Sequence, residues 1–117
     1  MEYKQIFLLV LLVFAVFSLN KVRFLEEYLM PGEELEMYLN VVNNNNKDID
    51  DVRIVAYLPD MGEEIRAANF DIQDNDNYGK FLWWNIPFDA TQGDYLIKIT
   101  ASNDNHKSTT FRYITVE

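Results

Sequence analysis

Residues 34–41 read ELEMYLNV, with Leu35, Met37, Leu39 and Val41 alternating with Glu34, Glu36, Tyr38 and Asn40. Successive side chains of a strand point to opposite faces, so this period of two predicts a half-buried β-strand. Pro31-Gly32 punctuates the chain just before it, leaving residues 22–30 as an earlier strand. Asn43-Asn44-Asn45-Asn46-Lys47-Asp48 follows as a polar turn, because Asn and Asp tolerate left-handed backbone and bond their own main chain. The pattern then repeats. Val52, Ile54, Ala56 and Leu58 share one face of a strand closed by Pro59-Asp60-Met61-Gly62, and residues 64–72 form a weaker strand. After the polar turn 74–79, residues 80–86 carry Phe81, Leu82, Trp83 and Trp84, and Pro87 ends them. Tyr95, Ile97, Ile99 and Ala101 alternate again, and residues 108–116 are rich in β-branched and aromatic types. About seven short strands result, with no sustained helical period after Asn20. Regular strands broken by turns predict an all-β antiparallel sandwich, with sheets of about three and four strands.

Composition narrows the function. The chain has 117 residues, enough for one domain, and 49% hydrophobic residues, enough for a packed core. It has no cysteine, which excludes disulfides, thiolate metal sites and cysteine nucleophiles, and one histidine, His106, which excludes a multi-histidine metal site. Nineteen acidic against ten basic residues give a net charge of -9, which repels phosphate backbones and argues against a nucleic-acid partner.

The N-terminal run 6–19, IFLLVLLVFAVFSL, holds fourteen uncharged residues without Gly or Pro. As an apolar helix it spans about 21 Å, short of a bilayer core of about 30 Å. That length suits a signal-peptide core with a cleavage point after Ser18, or a short uncleaved anchor with Tyr3, Lys4 and Lys21 at its interfaces. A core helix is disfavoured, since a small domain has little to surround a helix apolar on every side. The expected division is therefore a signal peptide or membrane anchor at residues 1–20 and a sandwich at 22–117. Either reading of the first segment places the domain outside the cytoplasm.

Two stretches carry a family resemblance. PGEELEMYLNVVNNNNKDIDDVRIVAYLPDMG (31–62) and WNIPFDATQGDYLIKITASNDNHKSTTFRYITVE (84–117) resemble immunoglobulin-like modules of archaeal and bacterial surface proteins, among them the CARDB (cell-adhesion-related) type and S-layer-associated domains. The shared order is Pro-Gly, an alternating strand, an Asn-rich turn and a strand ending in a Pro-containing loop. Later come Ile-Pro, then Gly-Asp-Tyr opening an alternating strand. The resemblance covers about residues 22–117 and implies an immunoglobulin-like fold, no catalytic residues, and a role as a stalk, spacer or adhesive module. It also implies that Tyr95, shortly after Gly93, makes the hydroxyl-to-backbone bond of a tyrosine corner. One of Trp83 and Trp84 then belongs to the core and the other lies outward or at a sheet edge, either covered by a loop or by the N-terminal segment or exposed as a candidate ligand or partner contact. The expected core is Leu35, Met37, Leu39, Val41, Val52, Ile54, Ala56, Leu58, one of those tryptophans, Tyr95, Ile97, Ile99 and Phe111.

Few constellations carry chemistry. Asp74-Asn75-Asp76-Asn77-Tyr78-Gly79 partly matches a calcium loop, with Asp74 and Asp76 as the ligand candidates. Tyr78 at the fifth position and Asn85 at the twelfth depart from that pattern, so the expectation is a solvated turn. Glu34 and Glu36 share the solvent face of one strand, whereas paired-carboxylate chemistry needs a cleft and a raised pKa on one member. No phosphate loop, cofactor motif or N-glycosylation sequon is present. The expected function is thus a non-catalytic, exported or membrane-tethered surface module with a protein or cell-envelope partner. A structural subunit of a surface filament or layer, and a carbohydrate- or calcium-dependent binding module, are the alternatives.

Overall fold

A computed structural model describes residues 17–117, so residues 6–16 of the expected apolar helix lie outside the described residues, while Phe17, Ser18 and Leu19 at its end are in a strand. The described chain is all β. Its strands are β1 (Phe17–Phe24), β2 (Tyr28–Leu29), β3 (Glu34–Asn43), β4 (Ile49–Leu58), β5 (Glu63–Arg66), β6 (Phe70–Ile72), β7 (Asn77–Asn85), β8 (Gly93–Ser102) and β9 (Lys107–Val116). One sheet has the order β1-β3-β7. The other runs β2-β9-β8-β4-β5, with β6 also paired to β4.

The alternating rows fill the space between the sheets. Leu35, Met37, Leu39 and Val41 of β3 are fully buried, as are Ile54, Ala56 and Leu58 of β4 and Ile97, Ile99 and Ala101 of β8. Leu82 of β7 and Ile114 and Val116 of β9 complete the layer. At roughly 2 kcal/mol for each large aliphatic side chain removed from water, this layer is the main force closing the sandwich.

Four expectations are corrected. There are nine strands among the described residues, not about seven, because residues 22–30 contribute to two strands in different sheets and 64–72 divide into β5 and β6. One pair is parallel: Tyr28 and Leu29 lie beside Thr115 and Val116. Strand β1 spans Phe17–Phe24, reaching ahead of the strand expected over residues 22–30; Phe17 and Leu19 pair with Asn43 and Val41, and Phe17 is only 4% exposed. Phe111 is 54% exposed and not in the core. It pairs with Lys98 on the outer face of β8, one step out of phase with the inward residues Ile114 and Val116.

The connections are fixed by specific bonds. Glu33 N–H donates to Met30 O at 3.1 Å, and Gly32 sits at φ 87°, so Met30-Pro31-Gly32-Glu33 is a turn that needs its glycine. The Tyr95 hydroxyl donates to Thr91 O at 2.5 Å, which is the tyrosine corner the resemblance implies. Asn43, first of the asparagine run, is 1% exposed. Its Nδ2 donates to the carbonyls of Lys47, Ile72 and Gln73 at 2.9, 3.2 and 3.0 Å. Its Oδ1 accepts from Asn45 N–H at 2.9 Å. One amide therefore ties the β3–β4 turn to the end of β6.

Asn43→Ala is expected to cost about 1–3 kcal/mol, the usual penalty for leaving buried polar groups unpaired. Asn43→Asp should cost more, because a carboxylate oxygen then faces three carbonyl oxygens, and the deficit should grow as pH rises and the carboxyl ionises. Urea midpoints of the two variants across pH check both statements.

Candidate binding face and open edge of the three-stranded sheet

With its inner face filled, the three-stranded sheet presents its outer face to solvent. Register sets what stands there. Arg23, Tyr38 and Phe81 form one row across β1, β3 and β7, and Lys21, Asn40 and Gly79 form the next. On the other side Glu36 lies opposite Trp83 and Glu34 opposite Asn85. Phe81 and Trp83 are 52% and 56% exposed. Their ring centroids are 6.1 Å apart with planes inclined by 19°, and Tyr38 packs on Phe81 at 5.0 Å. A side chain at Gly79 would collide with the Tyr38 ring, so glycine there is what lets Tyr38 lie along the sheet. A shallow groove of about 410 Å³ opens beside this row, between Arg23, Leu25, Glu36 and Phe81.

Trp83 and Trp84 separate as alternation requires. Trp84 pairs with Leu35 and packs partly buried against the core, while Trp83 points outward. Exposed apolar area of this kind, rimmed by charge, is a mark of contact surfaces.

The Glu34–Glu36 pair lies on this open face. Glu34 is held above its ordinary value of 4.5, first by a side-chain hydrogen bond with Glu36, then by partial desolvation and the neighbouring charge. Glu36 lines the groove beside the Arg23–Tyr38–Phe81 row, and Glu34 is exposed.

The calcium-loop candidates lie in the turn before β7. Asp74 and Asp76 are both exposed. Asp76 Oδ1 accepts from Asn77 N–H at 2.8 Å, and Asp74 N–H donates to Asp48 Oδ1 at 3.0 Å. Asn75 takes φ 53° at the crest of the turn. Among the described residues no three His, Asp or Glu side chains come together to hold a metal ion. His106 stands edge-on to Phe17 at 6.0 Å, in a structural contact.

Sequence reading picked out the tryptophans but missed the edge beside them. Among the described residues β7 forms sheet pairs with β3 alone, and Tyr78 near its start stacks on Phe70 of β6 with ring centroids 4.1 Å apart. The signal was available: residues 77–85 contain no proline and a single charge, Lys80.

No protein-family model matches the chain, and no curated protein matches it in sequence. Similar solved structures include the sporulation control protein Spo0M of Bacillus subtilis (TM-score 0.65, 15% identity, 88% of this chain and 50% of that one). The CARDB domain of PF1109 from Pyrococcus furiosus, solved in complex with di-metal ions, gives TM-score 0.57 at 13% identity over 87% of this chain and 86% of that one. A family 123 glycoside hydrolase from Clostridium perfringens gives 0.62 at 14% over 79% of this chain and 22% of that one. The chain thus spans half of Spo0M and about a fifth of the hydrolase. At these identities the likeness is one of fold: an immunoglobulin-like β-sandwich module.

Carbon-detected NMR titration should place the Glu34 midpoint above the ordinary 4.5, and Glu36→Gln should lower it by replacing the hydrogen-bonding carboxyl, and with it the like charge, by a neutral amide. The sign for stability follows. A carboxyl with a raised folded-state pKa favours the fold below its unfolded pKa, and that contribution is lost as pH rises past the folded value.

Proposed function

We propose that this chain is a non-catalytic immunoglobulin-like module of the cell surface, related to CARDB domains and tethered by its N-terminal apolar segment. It acts by binding a protein or envelope partner through the outer face of the three-stranded sheet. The observation that carries this reading is that face itself: Phe81 and Trp83 stand exposed next to a half-buried Tyr38, with Lys21 and Arg23 on the same face, while the inward rows are filled with side chains that only pack. Phe81 and Trp83 supply large apolar area at low entropic cost, as aromatic contact residues do.

A tether fits the fold better than cleavage after Ser18. Phe17 and Ser18 of β1 pair with Asn43 and Val42 of β3, and Phe17 belongs to the core. Losing a buried Phe costs about 3 kcal/mol or more, a large part of the 5–15 holding such a domain. The mature chain should therefore retain Phe17.

Two measurements test the proposal. Protease treatment of intact cells should remove the domain, which should fractionate with the envelope. Mass spectrometry of the native protein should find an N-terminus at or before Phe17. A purely cytosolic protein contradicts the surface role, and a chain starting at Leu19 contradicts the tether.

A further inference from the structure

The apolar part of the outer face does not stop at Trp83. Leu25 N–H donates to Glu36 O at 3.1 Å, which carries the β1–β3 ladder one residue past Phe24. Leu25 is thereby set beside Glu36, the residue opposite Trp83. Beyond that row the turn Met30-Pro31-Gly32-Glu33 is joined to Ile86, just past β7. Gly32 N–H donates to Ile86 O at 2.8 Å, and Ile86 N–H donates to Glu33 O at 2.9 Å. The Phe88 ring covers Gly32, where any side chain would collide with it. Phe88 is 89% exposed, and Leu25 and Met30 are exposed with it. One apolar surface therefore runs from Phe81 and Trp83 through Leu25 to Met30 and Phe88 at the end of the sheet.

The charge around this surface is one-sided. Residues 24–36 and 81–94 carry all five of its apolar side chains and contain no lysine or arginine. Glu26, Glu27, Glu33, Glu34 and Asp89 stand exposed in the same two stretches. Among the described residues the ion pairs are Arg53–Asp104 and Arg66–Glu64, so none of these five carboxylates has a cationic partner. The outer face of the other sheet differs, since its exposed Phe111 lies beside Lys98. Strand β1 also leads away from Phe17, which adjoins the apolar N-terminal run. Its eight residues place the patch roughly 23 Å along the strand from that point, at the end remote from the tether.

We propose that this patch docks a cationic protein, one that presents Lys and Arg around an apolar centre. The inference rests on the outer sheet face being the contact surface, and it names the chemistry of the partner. Charge complementarity selects that occupant. The carboxylates at the rim steer and orient a basic surface, and the large apolar side chains at the centre supply the burial. The same rim repels an anionic bilayer and a phosphate backbone. A second copy of this chain, with its net charge of -9, would set carboxylates against carboxylates.

The test uses the full chain in the cells that make it, with a photoreactive phenylalanine analogue introduced at one position at a time. Positions 25, 81 and 88 should form adducts with one and the same protein, each joined to a peptide containing Lys or Arg. Position 113, on the outer face of the other sheet, should not. Reversing the rim charge with Glu26→Lys and Glu27→Lys together should cut the adduct yield at least about tenfold, because like charges then face each other. Lys98→Glu should leave the yield unchanged. The melting midpoint of the Glu26→Lys, Glu27→Lys variant should match that of the unaltered chain, so that a lost adduct reports lost contact and not unfolding. Adducts with lipid, with glycan, with a second copy or with a peptide lacking basic residues would overturn the cationic partner while leaving the contact face in place. A yield indifferent to the charge reversal, or equal from position 113, would overturn it as well. No adduct from positions 25, 81 or 88 would remove the contact face and the cationic partner together.

Discussion

The structure depends on one constraint: every residue of β3 must keep its face. Leu35, Met37, Leu39 and Val41 stand in one unbroken row against the buried residues of β4 and β8. A slip of one residue would turn that row to solvent and bring Glu34, Glu36 and Asn40 inward, a loss no local interaction could offset. Strands β1 and β7 take their register from β3, so the same constraint decides which side chains of the neighbours face out. The Arg23–Tyr38–Phe81 row and the Glu36–Trp83 pair are its consequences on the far side of the sheet.

The ends of the sandwich are closed by polar bonds, because hydrophobic packing is not directional. Tyr95 pins the connection into β8. It lies two residues before Ile97, the place where antibody domains carry the second cysteine of their inter-sheet disulfide. With no cysteine in the chain, Ile97 occupies that place as a buried side chain. At the other end Asn43 uses its whole side-chain amide on four backbone partners, while much of the run that follows it is exposed. The asparagine tract is therefore not uniform: its first member is a structural pin.

Much of this was legible in the sequence because period two and turn residues are local signals. The alternations 34–41, 52–58 and 95–101 correspond to β3, β4 and β8 with their apolar rows inward. What escaped was set by tertiary pairing. Phe111 lies in a strand where apolar and polar residues do not alternate cleanly, and only the later pair Ile114 and Val116 fixes which side is in. The start of β1 was hidden because Phe17 and Leu19 adjoin an apolar run, although Ser18 and Asn20 supply the alternation. That β5 and β6 both join β4, leaving β7 paired with β3 alone, follows from which sheet each strand enters, and strand propensity does not encode that choice. Of the site residues, Trp83 was visible as one of two adjacent tryptophans. Tyr38, Arg23 and Phe81 became a surface only once register brought them together.

Trp83 and Trp84 are neighbours in sequence with opposite tasks, and that contrast exposes the whole account to one test. Denaturant unfolding of Trp83→Ala and Trp84→Ala, each in the full-length chain, compares the outer face with the core at a single step along β7. Removing the core-packed Trp84 should lower stability by about 2 kcal/mol or more, while removing the outward Trp83 should change it by no more than about 0.5 kcal/mol. Equal losses, or a larger loss at Trp83, would contradict the assignment of one face to closure and the other to contact.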